Sequence, residues 1–151
     1  MIEHVPDEAW ATVVRSVPIV SVDLVVRHEG RIALGKRENE PARGEWFVPG
    51  GRVHTNERLD DTVHRVAREE CGIEVSIDRR LGVYEHLYDV ADVPDAGGKH
   101  YVPVGYVVDA ASDDLRTDDQ HGAFEWFDPP VEFDLHPYVR DYLADAGMLE
   151  E

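Results

Sequence analysis

The sequence predicts an α/β fold in which helices cover both faces of one mixed β-sheet. Segments with helical and with strand periodicity interleave along the chain, without the regular repeat that a doubly wound parallel sheet requires. The chain has 151 residues, of which 42% are hydrophobic, and this is enough for one core. Residues 1–151 are therefore predicted to form a single domain, an α/β/α sandwich.

Three segments have the apolar spacing of helices. The predicted helices cover 6–17, about 56–71 and about 136–146. Acidic residues open the first two, where the positive end of the helix dipole favours negative charge. Gly72 follows the second helix and suits the left-handed conformation that ends many helices.

Apolar runs bounded by turn residues predict the strands. They cover 19–26, a run ending at 36, 46–48, one or two strands within 73–88 divided near 79–80, 100–108, and 124–127. A tight Pro-Gly-Gly turn is predicted at 49–51, and 89–99 is a turn-rich insertion. Short strands alternating irregularly with helices favour the mixed sheet.

The charge of the chain is strongly negative. It has 32 acidic residues against 15 basic ones, a formal net charge of −17, and only Lys36 and Lys99 are lysines. The acids are spread through patterned segments, which favours a folded, solvated surface over a disordered acidic tail. Such a surface repels phosphate, so no nucleic-acid partner is expected, and it is typical of adaptation to concentrated salt.

Targeting and redox signals are few. The first ten residues have neither a basic start nor an apolar stretch, and no apolar run is long enough to span a bilayer. Cys71 is the single cysteine and is expected to be a small buried hydrophobe. We therefore expect a soluble cytoplasmic protein with no membrane partner.

Residues 46–73 form the most informative stretch. A glycine pair precedes a helix that carries acids and arginines, groups that bind a hard divalent cation and phosphate. The stretch resembles the Nudix box, G-x5-E-x7-R-E-U-x-E-E-x-G-U, in which U is a bulky aliphatic residue. The matching residues are Gly51, Glu57, Arg65, Glu69, Glu70, Gly72 and Ile73. The resemblance implies an α/β/α hydrolase that uses Mg2+, with Mn2+ as an alternative.

Two positions depart from the box. Val66 replaces the first Glu after the arginine, and Ala67 replaces the aliphatic residue. Loss of a carboxylate lowers the capacity for several metal ions and removes a side-chain base. Either the chain is non-catalytic or its base lies elsewhere. Gln120 and His121 offer a cation ligand and a base that is neutral near physiological pH, although His121 alone equally fits a solvated surface histidine.

The likeness extends beyond the box to one Nudix branch, the GDP-mannose mannosyl hydrolases. The similar segments are 11–16, 18, 20–23, 35–37, 41–42, 46–53, 82–83, 86, 88, 100–101 and 119–121. That branch also lacks the first Glu after the box arginine. The resemblance implies cleavage of the sugar C1–O bond with inversion, one cation on the leaving diphosphate, and a homodimer.

The same resemblance assigns roles to individual residues. The implied metal ligands are the Gly50 carbonyl, Glu70 and Gln120; His121 would activate water; Arg37, Arg52 and Tyr101 would support the leaving GDP; Asp23 and His86 would lie near the sugar. Glu69 is an acid that the branch lacks, and as a further metal ligand it leaves P–O cleavage open. Arg65 is expected to pair with Glu57 or Glu70.

Three functions therefore remain open at the level of sequence. The first is hydrolysis of GDP-mannose, or a related GDP-hexose, to GDP and free sugar. The second is cleavage of the P–O bond of a nucleotide sugar or nucleotide. The third is a non-catalytic module that binds a nucleotide sugar. The pattern identifies neither the base pocket nor the sugar, and Trp10 fits either a stacking partner or a core residue.

Overall fold

A computed structural model describes residues 5–116 and 124–149 of the chain. Its elements are α1 (Asp7–Ser16), β1 (Ile19–His28), β2 (Arg31–Lys36), β3 (Trp46–Phe47), β4 (Gly50–Arg52), α2 (Leu59–Val66), a π-helical turn (Ala67–Cys71), β5 (Val75–Val83), β6 (His86–Tyr88), β7 (Lys99–Ala110), β8 (Phe124–Phe127) and α3 (Pro137–Asp145). No helix in the described ranges is long and apolar enough to cross a membrane.

All eight described strands belong to one sheet. Its main path runs β3-β2-β1-β7-β5, while β4 pairs with β1, β6 with β7, and β8 with β2. The central strands β1 and β7 are parallel, and the other pairings are antiparallel. The predicted mixed sheet is therefore confirmed.

Helices pack on both faces of this sheet. On one face, α2 and the π-helical turn contribute Val63, Val66 and Cys71 to a core that includes β1 and β7. On the other face, α3 contributes Val139 and Leu143 to a second core. Because β1 and β7 are covered on both faces, their apolar residues are nearly continuous rather than alternating. The α/β/α arrangement is confirmed.

Three predicted boundaries are wrong: strand pairing explains the first and the third, and a local backbone conformation explains the second. The glycine turn at 49–51 is largely strand, because β4 pairs with β1 and places Gly50 opposite Asp23. The second helix starts at Leu59 rather than near 56, since Asn56 has a positive φ of 70°. β5 runs unbroken through 79–80, where two register shifts absorb the irregularity.

The second helix ends at Gly72 as predicted, but its last turn is π-helical rather than α-helical. Gly72 adopts the left-handed conformation with a φ of 68°, and its N–H donates to the Arg68 carbonyl. Before it, Ala67–Cys71 widens into a π-helical turn, a feature often found at functional sites.

Candidate functional site

One cleft of about 220 Å³ collects most of the predicted site residues. Those lining it are Asp23, Arg37, Gly50, Arg52, Glu70, His86 and Tyr101. They come from six separate parts of the chain, from β1 to β7. Gln120 and His121 lie outside the described residues. Glu69 lies instead on Arg65, where its carboxylate accepts a hydrogen bond of 2.9 Å.

A nearly buried ion pair fixes the loop between β4 and α2. Arg65 donates through Nε and Nη2 to the two oxygens of Glu57, at 2.8 and 3.0 Å. The Glu57 carboxylate also accepts from the His54 N–H and the Thr62 hydroxyl. The Arg65 guanidinium is the main reason why the pKa of Glu57 falls to about 2. The structural role expected for Arg65 is thus confirmed for its pairing with Glu57.

Val66 stands where the box has its missing carboxylate, and it faces β4, the strand that contains Gly50 and Gly51. Val66 is buried, and its Cγ2 lies so near Gly51 that a Cβ on that glycine would approach it to 2.9 Å. An apolar side chain therefore fills the place beside β4 where the Nudix box has a Glu. Glu70, four positions later, lines the cleft while Glu69 points to Arg65.

The cleft contains oxygen donors of the kind that Mg2+ prefers. Gly50 and Glu70 both line it, and they offer a backbone carbonyl and a carboxylate. Gly50 has no room for a Cβ, because the Asp23 carboxylate lies against it, so this position requires glycine. No group of three or more His, Cys, Asp or Glu side chains suited to a metal ion occurs within 5–116 and 124–149.

Two arginines give the cleft positive charge. Arg37 donates from Nε to the Pro41 carbonyl at 2.6 Å, and its guanidinium lies 5.7 Å from the Phe47 ring centre. The Arg52 guanidinium lies 5.8 Å from the Trp10 ring centre. Contacts with a carbonyl and with aromatic rings orient planar guanidinium groups, which suit phosphate oxygens.

Asp23 and His86 form a second group in the cleft. His86 is only 3% exposed, its Nδ1 lies 3.9 Å from Asp23 Oδ2, and its ring stacks on Tyr138 at 3.9 Å. Burial lowers the pKa of His86 to about 4, so the imidazole is neutral at neutral pH. Burial likewise raises the pKa of Asp23 to about 6, although a hydrogen bond from Tyr142 and the charge of Arg37 oppose this.

A lysine–aromatic cluster lies beside Tyr101. Lys99 is only 6% exposed; its Nζ is 2.9 Å from Asp92, 5.0 Å from the Tyr101 ring centre and 5.1 Å from the Trp10 ring centre. The Trp10 indole N–H also donates to Asp92 at 3.3 Å. This cluster ties the insertion 89–98 to α1 and supports one wall of the cleft.

Sequence reasoning missed several residues around the site. Tyr88 lines the cleft, while Tyr138 and Tyr142 lie under Asp23 and His86. The two tyrosines of α3 occur one helical turn apart, a spacing visible in the sequence. That signal shows a shared face but not which strand the face will meet.

Known proteins share this fold. A family model described as the NUDIX domain matches residues 17–145, and the chain belongs to the Nudix family. A MutT Nudix hydrolase from Burkholderia pseudomallei has a similar structure, with a TM-score of 0.67 and 30% identity; the match covers 85% of this chain and 97% of that one.

Two curated relatives are also similar. The low-salt glycan biosynthesis protein Agl8 of Haloferax volcanii is 54% identical over 93% of this chain and 89% of its own length. The ADP-ribose pyrophosphatase of Methanocaldococcus jannaschii is 30% identical over 83% of this chain and 73% of its own length. The chain is thus a Nudix hydrolase, and Nudix hydrolases generally use divalent metal ions such as Mg2+.

Proposed function

We propose that this protein hydrolyses GDP-mannose, or a related GDP-hexose, to GDP and free sugar by C–O cleavage at the anomeric carbon with inversion. One observation carries the proposal: a single cleft combines Arg37, Arg52 and Glu70 with the neighbouring Asp23 and His86. A nucleotide sugar has both parts, a charged diphosphate and a neutral polyhydroxylated ring. The Haloferax volcanii relative is named for glycan biosynthesis, which supports a sugar-containing substrate.

In this proposal the arginines act on the diphosphate. Arg37 and Arg52 bind its oxygens and stabilise the negative charge that grows as GDP leaves, with Tyr101 beside them. The Gly50 carbonyl, Glu70 and Gln120 would hold Mg2+, which would supply further neutralisation of that charge. Because an oxocarbenium-like sugar carbon needs only a modestly activated nucleophile, one histidine suffices as the base.

His121 is the proposed base, and its sequence position favours it. Phe124, three residues later, lines the cleft. His121 lies three positions and Gln120 four positions before Phe124, and such connections span at most about 11 and about 14 Å. A neutral imidazole accepts a proton from the water that attacks C1, and the carboxylate lost at Val66 is then not needed.

The sugar is assigned to Asp23 and His86. The Nε2 of His86 is buried and has no hydrogen-bond partner among the described residues, and such an atom is costly unless a ligand or water satisfies it. The neutral ring can donate to or accept from a sugar hydroxyl. Asp23 adds carboxylate oxygens nearby, and Tyr88 contributes an aromatic wall.

A second function has a specific observation in its favour. Glu69, which the mannosyl hydrolase branch lacks, is half-exposed beside Arg65 and next in sequence to Glu70. A second acid at this position suits a pyrophosphohydrolase that cleaves P–O bonds with more than one cation, and one relative is named an ADP-ribose pyrophosphatase. A nucleotide-sugar-binding module without activity is the third candidate, and the loss of the carboxylate at Val66 supports it.

Hydrolysis in 18O-labelled water separates the three. Purified protein is incubated with GDP-mannose and Mg2+, and the products are analysed by mass spectrometry. We expect the label in the sugar and an α-to-β change of anomer by NMR. Label on a phosphate group, in the nucleotide or in mannose 1-phosphate, means P–O cleavage. Absence of product under conditions where GDP-mannose binds means a binding module.

The wider setting is also part of the proposal. We infer that the protein is a cytoplasmic homodimer and that its acidic surface is an adaptation to concentrated salt, which screens the repulsion of a −17 chain. Sedimentation analysis in KCl tests the dimer directly. A monomer across the micromolar range would contradict it.

A further inference from the structure

The C-terminal helix α3 supports the cleft with groups that the proposed reaction does not use. Tyr142, on the sheet-facing side of α3, is fully buried, and its hydroxyl donates to Asp23 Oδ2 at 2.6 Å. A short hydrogen bond to a carboxylate is stronger than one between neutral groups. It joins two residues that are 119 positions apart in sequence.

The Asp23 carboxylate has little freedom to turn. One oxygen accepts from Tyr142, and the other lies against the backbone of β4, so that a Cβ on Gly50 would clash with it. The carboxylate is thus held between α3 and β4. Without the Tyr142 hydroxyl, Asp23 Oδ2 would lose its one hydrogen-bond donor that the structure shows among the described residues, and the carboxylate could turn more freely.

The Tyr142 ring is itself tightly held. It packs against Tyr84 with ring centres 4.6 Å apart, and against His86 at 5.5 Å. Gly105 leaves the space for it, because a Cβ there would lie 2.9 Å from Tyr142 Cε1. A ring confined in this way presents its hydroxyl in one place, and no reorganisation is needed when a ligand binds.

The same helix also fixes His86. Tyr138 stacks on the imidazole with an angle of 4° between the rings, and its hydroxyl binds both the N–H and the carbonyl of Leu87 at 2.9 Å. Asp23 and His86 are therefore both oriented by tyrosines of α3, one turn apart. A tyrosine with a purely structural role needs a hydrogen-bond partner for its hydroxyl, but that partner need not be Asp23, the residue assigned to the sugar.

We propose that Tyr142 is a positioning residue that sets the orientation of the Asp23 carboxylate for a hydroxyl-bearing group of the ligand, the sugar of a nucleotide sugar. The inference rests on the proposed substrate class but not on catalysis. It predicts that loss of the Tyr142 hydroxyl weakens recognition of the sugar and leaves recognition of the diphosphate unchanged.

The test compares Tyr142→Phe with Tyr84→Phe. The control removes the neighbouring hydroxyl, which donates to Asp145 at 2.6 Å and not to a cleft residue. Binding of GDP-mannose and of GDP is measured by calorimetry with EDTA present, so that metal-dependent turnover does not interfere. We expect Tyr142→Phe to lower the affinity for GDP-mannose about tenfold and the affinity for GDP less than about twofold, whereas the control changes neither affinity.

Two results would overturn the role. If Tyr142→Phe lowers the affinity for GDP-mannose and for GDP equally, its effect is only structural. If the affinity for GDP-mannose is unchanged, Tyr142 has no positioning role. Asp23→Asn provides a second test that does not depend on the folding of Tyr142→Phe: if it keeps full affinity for GDP-mannose, Asp23 does not recognise the sugar. When Tyr142→Phe is added to Asp23→Asn, we expect no further loss, and an additional tenfold loss would contradict the proposal.

These measurements distinguish the inference from the proposed function. If the 18O assay gives no product but Tyr142→Phe still weakens GDP-mannose selectively, the positioning role stands in a binding protein. If sugar is released but the two ligands weaken equally, the hydrolase stands and the positioning role fails.

Discussion

Replacement of Arg65 by Gln should destabilise the protein in a manner that depends on pH. Arg65 and Glu57 form a two-point ion pair with only 18% and 10% of their side chains exposed. Removal of the arginine leaves a nearly buried carboxylate with the His54 N–H and the Thr62 hydroxyl as its remaining partners. Breaking such a pair from one side costs about 3 kcal/mol.

The size of the pH effect follows from the pKa of Glu57. A fall from the usual 4.5 to about 2 corresponds to about 3 kcal/mol of stability at neutral pH. Because its pKa is lower in the folded state than in the unfolded state, ionised Glu57 stabilises the fold above about pH 4.5. This stabilisation is lost as the pH falls from about 4.5 to about 2. At about pH 3 less than half of this contribution remains, so the gap between wild type and Arg65→Gln should narrow by up to about 2 kcal/mol, because the part of the pKa shift due to His54 and Thr62 stays in the variant.

Urea unfolding followed by tryptophan fluorescence measures this gap at neutral pH and at about pH 3, in the same KCl. Arg68→Gln is the matched control, since Arg68 pairs with Glu74 at 3.5 Å on the exposed side of the same turn and should cost under about 0.5 kcal/mol. A gap for Arg65→Gln that is as small as the control, or that stays constant with pH, would refute the reasoning.

Four further predictions concern the site and the surface. Arg37→Gln should lower kcat with little change in KM, because the interaction grows in the transition state; an effect on KM alone would make Arg37 a simple substrate clamp. Glu70→Gln should weaken Mg2+ binding and turnover far more than Glu69→Gln, and equally severe losses would favour P–O cleavage with several metal ions. His121→Gln should slow turnover by about 10²–10⁴ and abolish the acidic limb of the pH profile, with ligand affinity kept; near wild-type activity would leave only carboxylates as bases. The melting temperature should rise steeply with KCl, and a flat or falling curve would rule out salt adaptation.

Much of the fold was predictable because its signals are local. Helical spacing located α1, α2 and α3 to within a few residues, and Gly72 marked the end of the second helix correctly. The errors arose where tertiary pairing overrides local preference. The sequence predicts a turn at Gly50–Arg52 because glycines favour turns, but in the structure this segment forms a strand that pairs with β1.

The cleft was predictable as a set of residues but not as a geometry. The box motif and its branch resemblance selected seven residues that the fold does bring together. They could not show that Glu69 pairs with Arg65: the spacing of four positions allows this pair on a helix, but Glu57 and Glu70 are also possible partners of the arginine in the sequence. Nor could they show Tyr142 under Asp23, since a contact across 119 positions depends on how α3 packs.

The parallel pairing of β1 with β7 has a consequence for how the chain folds during synthesis. Arg27 and Asp109 are partners across 82 positions, and residues 19–27 of β1 all pair along β7 in the same way. Contacts this distant in sequence make folding slow, because a long loop must close before they form. The Asp23 side of the cleft therefore cannot assemble until most of the chain has left the ribosome. We expect a fragment that ends before β7 to expose the apolar edge of β1 and to aggregate.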